Sequence, residues 1–206
     1  MNAPPIAGER LYLTDDHELG ITGNPDPDVC ARHVARYTKA IELAEHKGGN
    51  WLDFACGSGY GTALAADVAD LVVGMDRDPT AIRYAVRHHK RPNVAYRLAT
   101  PDTVWRTTVV RPNVVICVET LEHMDAATQG YYLQATARGM ARGGTLVLAC
   151  PLGNDGPSRV NPWHLYEPSK EFLIDMLRAN FKDVSLHCED YISTSGPATQ
   201  AWAVCR

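Results

Sequence analysis

The chain has 206 residues, of which 45% are hydrophobic and 21% are charged, and its formal net charge is −4. This composition is that of a folded globular protein and excludes an intrinsically disordered chain, while the negative charge argues against general binding to nucleic acid, which requires cationic patches. No apolar run reaches the roughly eighteen residues of a membrane span, and the segment from Met1 to Pro5 lacks the basic and apolar parts of a signal peptide.

The six cysteines do not show the short spacing that is typical of zinc ligands. Cys117 and Cys150 lie within apolar runs and are predicted to be buried. Unpaired cysteines of this kind are typical of a reducing compartment. We therefore predict a cytoplasmic protein without a metal site.

Residues 1–27 are predicted to form an N-terminal arm, because they contain four prolines and show no hydrophobic period. We expect this arm to fold over a ligand pocket from Leu11 onward. The first helix is predicted to begin at Pro27, with Asp26 as its N-cap. Apolar residues then recur at steps of three and four, which indicates one buried helical face. These residues are Cys30, Val34, Tyr37, Ile41 and Ala44.

The segment from Trp51 to Thr62 combines an apolar run, a carboxylate and three alternating glycines. It predicts a strand, a tight glycine-rich loop and a helix over residues 62–69. Gly57, Gly59 and Gly61 have no Cβ and can adopt positive φ, so a ligand could lie against this backbone. The N–H groups at the start of the helix would face the same ligand.

The spacing of these glycines bears on the kind of ligand. A dinucleotide-binding G-x-G-x-x-G motif would require glycine at the position of Thr62 or of Leu64, so a nicotinamide-dependent oxidoreductase is disfavoured. A second apolar run ends in Asp76, about twenty residues further on, where a carboxylate can accept hydrogen bonds from ribose hydroxyls. The pattern therefore favours a nucleoside ligand that has no pyrophosphate.

The remaining apolar runs alternate with helical segments, including helices expected from Pro79 and from the capping residue Asp125, which is typical of an α/β fold. Further strands are predicted over residues 94–98, 113–118, 145–150, 184–188 and 200–205. Ligands of such sheets bind beyond the carboxyl ends of the strands. Four polar residues at predicted strand ends are expected to meet there, namely Asp53, Asp76, Thr100 and Glu119.

Three segments resemble motifs of the class I S-adenosylmethionine-dependent methyltransferases of the small-molecule type. The first motif is matched by Asp53-Phe54-Ala55-Cys56-Gly57-Ser58-Gly59-Tyr60-Gly61, the second by Val73-Gly74-Met75-Asp76 and the fourth by Glu119-Thr120-Leu121-Glu122-His123. One departure is Ala55, where the family usually has glycine. The resemblance implies S-adenosylmethionine as the cofactor and a Rossmann-like, doubly wound, mostly parallel seven-stranded sheet with helices on both faces. It covers residues 28–206 as a single domain.

The resemblance also implies which residues bind the cofactor. The segment His33-x-x-Arg36-Tyr37 matches one that borders the methionine end of the cofactor, and Asp76 would bind the ribose. Many family members bind the adenine amino group with an acidic residue after the third strand. Thr100 occupies that position here, and Asp102 follows two residues later. The expected cofactor-binding residues are Arg36, Tyr37, Asp53, Ala55, Cys56, Gly57, Ser58, Gly59, Asp76, Arg77, Thr100 and Glu119.

The expected reaction is an in-line displacement, in which the protein mainly holds the acceptor close to the sulfonium methyl group. A hydroxyl acceptor must also lose a proton, and histidine is the usual base. His123 and His164 follow the fourth and fifth strands and are the candidate catalytic residues, with Trp163 and Tyr166 as candidate walls of a substrate pocket. Either histidine could instead only fix its loop by hydrogen bonds.

Other acceptors are less well supported by the motifs. Glu119 to Glu122 stand where DNA adenine methyltransferases typically have Asn/Asp-Pro-Pro-Tyr/Phe, and Cys150-Pro151 is the reverse of the Pro-Cys of cytosine C5 methyltransferases. We therefore predict methyl transfer to a hydroxyl group of a small molecule, such as a sugar, a lipid precursor or a natural-product intermediate. The alternatives are an N-methyltransferase and a non-catalytic domain that only binds the cofactor. The sequence does not indicate an oligomeric state.

Overall fold

Strands and helices alternate along the part of the chain that the structure, a computed structural model, describes. This part comprises residues 27–107, 110–193 and 196–206. The predicted arm, apart from Pro27, and the predicted cap Asp26 lie outside the described residues. The helices are α1 (Pro27–Leu43), α2 (Tyr60–Ala65), α3 (Pro79–His88), α4 (Val104–Thr107), α5 (Ala126–Gly139) and α6 (Lys170–Arg178), with a 3-10 turn at Leu121–His123. The strands are β1 (Asn50–Phe54), β2 (Leu71–Asp76), β3 (Val94–Leu98), β4 (Val114–Val118), β5 (Thr145–Pro151), β6 (Val184–Ser193) and β7 (Gly196–Cys205).

These seven strands form one sheet in the order β3-β2-β1-β4-β5-β7-β6. Strands β1 to β5 are parallel to one another, whereas β7 is antiparallel to both β5 and β6. The prediction of a Rossmann-like, mostly parallel seven-stranded sheet is therefore confirmed. The carboxyl ends of β1 to β5 lie along one side of the sheet, which we call the carboxyl edge.

Successive residues of a strand point to opposite faces of the sheet. Both faces therefore carry apolar side chains, and helices cover both. Leu52 of β1 belongs to the same hydrophobic cluster as Leu133 of α5. The preceding residue, Trp51, belongs to a second cluster that includes Tyr37 of α1. The central strands β4 and β5 are buried along their whole length, as expected for parallel strands that are covered on both faces.

The cap of α5 and the burial of two cysteines agree with the predictions from the sequence. Asp125 caps α5 as predicted, since its Oδ1 accepts a hydrogen bond of 2.7 Å from the main-chain N–H of Thr128. Cys117 and Cys150 are fully buried, as predicted, and no disulfide bond joins any of the six cysteines, all of which lie among the described residues. Among the described residues, the helices are too short or too polar to span a membrane.

The helix after the glycine loop was predicted to run to residue 69, but α2 ends at Ala65. The side chain of Asn93 donates hydrogen bonds to the main-chain oxygens of Ala66 and Ala69 at 2.8 and 3.0 Å. These contacts give the backbone an alternative to continuing the helix.

The hairpin of β6 and β7 is longer than predicted. Among the described strands, β6 lies at the edge of the sheet and pairs with β7 alone, so it tolerates polar side chains. The hydrophobic pattern in the sequence therefore ends before the pairing does. Neither α4 nor the 3-10 turn was predicted, because both are too short to show a hydrophobic period.

Candidate active site

The glycine loop leaves β1 at the carboxyl edge through a series of residues with positive φ. Ala55, Gly57 and Gly59 have φ values of 59°, 56° and 93°. A Cβ atom at Gly59 would be 2.6 Å from the Cβ of Ala85, so glycine is required there for the loop to pack on α3. A Cβ atom at Gly57 would meet no atom within 4 Å. The loop is therefore closely packed on one side and open to a ligand at Gly57.

The methyl group of Ala55 has a conformational cost. A left-handed φ costs a residue with a side chain about 1–2 kcal/mol, and Ala55 is such a residue. This backbone cost explains why glycine suits position 55. The loop nevertheless adopts the left-handed φ with alanine there.

Asp76 connects the tip of β2 to the glycine loop. Its Oδ2 accepts a hydrogen bond from the main-chain N–H of Gly57 at 3.0 Å, and its Oδ1 accepts one from Asp78 at 2.8 Å. An ionised carboxylate has about four lone-pair positions, so these contacts are compatible with further bonds from ribose hydroxyls. The next residue, Arg77, is exposed.

Asp53 lies within β1 and has no exposed surface. Its carboxylate accepts hydrogen bonds from the hydroxyl groups of Tyr37, at 3.2 Å, and Thr62, at 2.6 Å. Burial raises the pKa of this carboxyl group from 3.8 to about 7. Asp53 thus joins α1 and α2 to β1, and the structure does not bring its carboxylate to the surface of the site.

Tyr37 packs α1 against the start of α2. A Cβ atom at Gly61 would overlap the Tyr37 ring, so the ring lies directly on the main chain of this glycine. The Tyr37 and Tyr60 rings make an edge contact with 5.3 Å between centroids. The third glycine of the motif is therefore explained by the packing of a tyrosine, which the sequence pattern alone did not indicate.

Arg36 and Glu119 meet above the carboxyl end of β4. The guanidinium of Arg36 is 3.7 Å from Oε2 of Glu119 and lies 5.3 Å from the centroid of the Tyr191 ring. Oε1 of Glu119 accepts a hydrogen bond of 2.8 Å from Gln200. Gln200 and Tyr191 were not predicted as site residues, because only the antiparallel hairpin of β6 and β7 brings them next to β4 and α1.

The other predicted cofactor-binding residues lie around the same edge. Cys56 and Ser58 are buried within the loop, and the main-chain N–H of Cys56 donates a hydrogen bond of 2.9 Å to Met75. Thr100 and Asp102 are both exposed after β3. The main-chain N–H of Thr100 donates to the Thr103 hydroxyl at 2.8 Å.

The two candidate catalytic histidines lie side by side. His123 belongs to the 3-10 turn after β4, and His164 belongs to the loop after β5. Their rings make an edge contact with 5.1 Å between centroids. Nδ1 of His123 is 3.0 Å from the main-chain oxygen of Trp163, and Nδ1 of His164 is 2.5 Å from Oε1 of Glu167.

These contacts determine which nitrogen of each ring carries the proton. A carbonyl or carboxylate oxygen only accepts hydrogen bonds, so Nδ1 is the donor in both histidines. In the neutral ring the lone pair is then on Nε2. Each histidine therefore offers Nε2 as a base or as a metal ligand.

The buried side chain of Gln129 holds this region in place. Its Nε2 lies within hydrogen-bonding distance of the main-chain oxygens of Leu121, Met124 and Tyr166, at 2.9, 3.2 and 2.8 Å. The main-chain oxygen of Glu122 also accepts a hydrogen bond of 2.8 Å from Leu165. The 3-10 turn and the loop after β5 are thus fixed to each other.

The loop after β5 carries three large, exposed apolar side chains. Val160, Trp163 and Leu165 are 66%, 54% and 53% exposed. Tyr166, which was predicted as a second wall, packs instead against Phe172 of α6 with 5.5 Å between ring centroids. The loop after β5 therefore presents Trp163 rather than Tyr166 as its exposed aromatic surface.

Comparison with known proteins identifies the family. A family model described as a methyltransferase domain matches residues 27–183. A probable S-adenosylmethionine-dependent methyltransferase of Mycobacterium tuberculosis is 30% identical over 202 residues, which cover 89% of this chain and 67% of that protein. The chain belongs to the class I S-adenosylmethionine-dependent methyltransferases. The methyltransferase accordingly uses S-adenosylmethionine as its methyl donor.

The fold of the methyltransferase also matches solved structures. The N-methyltransferase NodS from Bradyrhizobium japonicum WM9, in complex with S-adenosyl-L-homocysteine, gives a TM-score of 0.67 at 17% identity over 93% of this chain and 96% of NodS. The [4+2]-cyclase SpnF gives a TM-score of 0.67 at 14% identity over 98% of this chain and 89% of SpnF. At these identities the likeness shows the fold alone, so the acceptor of the methyltransferase has to be argued from its own residues.

Proposed function

We propose that this methyltransferase methylates a hydroxyl group of a small molecule that has an apolar surface. The observation that carries the proposal is the pair of His164 and Glu167, in which Nδ1 faces the carboxylate, so that Nε2 is the nitrogen that would act as a base. Trp163 and Leu165, on the same loop, offer apolar contacts to the acceptor. A lipid precursor or a natural-product intermediate fits this surface better than a bare sugar, although a sugar that carries an apolar group would also fit.

The cofactor is proposed to lie across the carboxyl edge, over Gly57. Asp76 would accept hydrogen bonds from the ribose hydroxyls, as it already accepts them from main-chain N–H groups. Arg36 would bind the methionine carboxylate, because it is the cation that lies above the end of β4 beside Glu119. The remaining expected contacts come from Tyr37, Ala55, Cys56, Ser58, Gly59, Arg77 and Thr100, while Asp53 acts through the helices it fixes.

The cofactor supplies an electrophilic methyl group. The chain has to hold the acceptor oxygen in line with that group and to remove the hydroxyl proton. We assign the proton to Nε2 of His164. Glu167 would position this imidazole through Nδ1 and stabilise the charge that it gains. His123 would hold the loop through the main-chain oxygen of Trp163.

The proposal can be tested by incubating the protein with S-adenosylmethionine and a panel of hydroxyl and amine compounds, and by detecting methylated products by mass spectrometry. With the best acceptor, His164→Ala should reduce turnover by about 10²–10⁴-fold and leave the affinity for S-adenosylhomocysteine within a few-fold. His187→Ala is a matched control, because its imidazole is 70% exposed on β6.

The outcomes separate the alternatives. Methylated amines without methylated alcohols would indicate an N-methyltransferase, for which His164 is dispensable if the amine arrives unprotonated. Bound cofactor with no methylated product from any compound would support a non-catalytic domain. Unchanged turnover in His164→Ala would exclude this residue as the base.

A further inference from the structure

We infer that Glu122, His123 and His164 form a binding site for a divalent transition-metal ion. Each of the three residues offers one ligand atom, and these atoms lie within 4.8 Å of one another. The ligands come from two segments that are about forty residues apart and include no cysteine, so the spacing of the cysteines does not indicate them. Metal binding at this site does not depend on the proposed acceptor.

The hydrogen bonds of the two histidines suit metal ligation. A histidine that binds a metal usually donates its other ring N–H to a carboxylate or a main-chain oxygen, which fixes the ring and its tautomer. His164 makes the first kind of contact, with Glu167, and His123 makes the second kind, with Trp163. Both rings are thus already oriented to offer the Nε2 lone pair.

Glu122 supplies the negative charge of the site. Its side chain is 1% exposed, and its Oε1 lies 4.0 Å from Nε2 of His123. A carboxylate in a buried setting attracts a cation more strongly than it would in water. A divalent ion held between Glu122 and the two imidazoles would therefore have one charged ligand and two neutral ones.

The supporting structure is suited to a preformed site. Gln129 contacts main-chain oxygens on both segments, and Leu165 donates a hydrogen bond to the main-chain oxygen of Glu122. The ligands are therefore positioned by buried contacts rather than by the ion. Side chains that are already in place lose less conformational entropy when the ion binds, so a preformed site favours binding.

The ligand set indicates the class of ion. Imidazole nitrogen suits zinc, iron, nickel or copper, whereas magnesium, calcium and manganese prefer oxygen ligands. Two histidines and one carboxylate are a set that catalytic zinc sites use, with a further position open to water or substrate. We therefore expect a first-row divalent ion with at least one exchangeable position.

The location of the site gives the ion a chemical role, and this role rests on the proposed function. The site follows β4 and β5 at the carboxyl edge, where the acceptor is proposed to bind. A hydroxyl group that coordinates a divalent ion loses its proton more readily. With the ion bound, Nε2 of His164 would hold the metal, and the proton of the coordinated hydroxyl would pass to solvent water instead of to His164.

The binding test uses the full chain, stripped with EDTA, and Co²⁺ as the probe. Titration should produce a visible d–d absorption band that saturates at one Co²⁺ per chain and disappears when Zn²⁺ is added. His123→Ala and His164→Ala should each abolish the band, and Glu167→Gln should weaken Co²⁺ binding by about 10–100-fold. His187→Ala, on the far strand β6, should bind Co²⁺ like the wild type.

Circular dichroism and S-adenosylhomocysteine binding would show that each variant is folded. The inference is overturned if the wild type gives no saturable band, or if folded His123→Ala and His164→Ala bind Co²⁺ with unchanged affinity. This titration contains neither methyl donor nor acceptor, so a failure of the proposed methyl transfer would not affect it.

The catalytic role of the ion is tested separately by measuring turnover. EDTA should lower the turnover, and Co²⁺ or Zn²⁺ should restore it. Full turnover in the metal-free protein would overturn that role.

Discussion

The main-chain N–H of Gly57 donates a hydrogen bond to Oδ2 of Asp76 over 3.0 Å, which fixes the bend of the glycine loop to the tip of β2. The other oxygen of the same carboxylate accepts from Asp78 at the start of α3. Asp76 therefore shapes the loop on which the cofactor is proposed to lie, and it is also the proposed ribose ligand.

Replacing Asp76 by asparagine should weaken cofactor binding. Hydrogen bonds to a charged group contribute about 1.5–3 kcal/mol, which corresponds to about a 10–100-fold loss of affinity. Isothermal titration with S-adenosylhomocysteine measures this loss. Asp183→Asn is the control, because Asp183 is exposed beside the amino end of the parallel strands. Equal affinities in the two variants would contradict the proposed role of Asp76.

Gly61→Ala should destabilise the protein, because the new methyl group would overlap the ring of Tyr37. Overpacking of this kind costs about 1–3 kcal/mol. Gly130→Ala, in the helix α5, is the matched control, since a Cβ atom there would meet no atom within 4 Å. It should stabilise the protein by about 0.5–1 kcal/mol through helix propensity. Urea denaturation measures the stability of both variants. A Gly61→Ala variant as stable as the wild type would show that the packing of α1 does not depend on this contact.

The sequence predicted those features that depend on local pattern. The buried runs of β4 and β5, the cap Asp125 and the glycine loop were each visible in a short segment, and the resemblance to a known family implied the mostly parallel seven-stranded sheet. Contacts between distant segments were not predictable in this way. Gln200 reaches Glu119 only because β7 enters the sheet beside β5.

The same distinction applies to the histidines. Each was visible as a candidate from its position after a strand, but their mutual contact depends on how the loop after β5 folds back onto the 3-10 turn. The partner of each Nδ1 atom could not be read from the sequence. This partner decides which nitrogen is offered to a substrate or a metal.

The buried carboxyl group of Asp53 should make stability depend on pH. Its pKa is about 7 in the folded state and 3.8 in a solvated chain. Between these values the folded state binds a proton that the unfolded state lacks. The contribution of Asp53 to stability is therefore fully present below the lower value and is lost as the pH rises through the higher one, by up to about 1.4 kcal/mol per pH unit.

Asp53→Asn removes this titration. The difference in unfolding free energy between Asp53→Asn and the wild type should shift in favour of the variant as the pH rises from 4 to 7, in urea denaturation at several pH values. Asp183→Asn, which removes an exposed carboxylate, is measured beside it as the control for the loss of one acidic side chain. A curve for Asp53→Asn parallel to that of the wild type would mean that Asp53 is ionised in the folded protein throughout this range.

Ala55→Gly should stabilise the protein slightly. It removes the cost of a left-handed φ at a residue with a side chain, about 1–2 kcal/mol, and adds about 0.4–1 kcal/mol of chain entropy to the unfolded state. The net gain should therefore lie between about 0 and 1.6 kcal/mol by thermal or urea denaturation. Ala135→Gly, within α5, should instead be destabilised by about 1 kcal/mol. Destabilisation of both variants would show that the Ala55 methyl makes packing contacts that outweigh the backbone cost.

The position of β7 between β5 and β6 has a consequence for biosynthesis. β5 is made well before β7, and it is an apolar strand whose second side is paired only by β7. Until residues 196–205 have left the ribosome, the nascent chain exposes a hydrophobic strand edge, which is a template for association between chains. Products of premature termination before this hairpin should therefore accumulate in inclusion bodies or require chaperones.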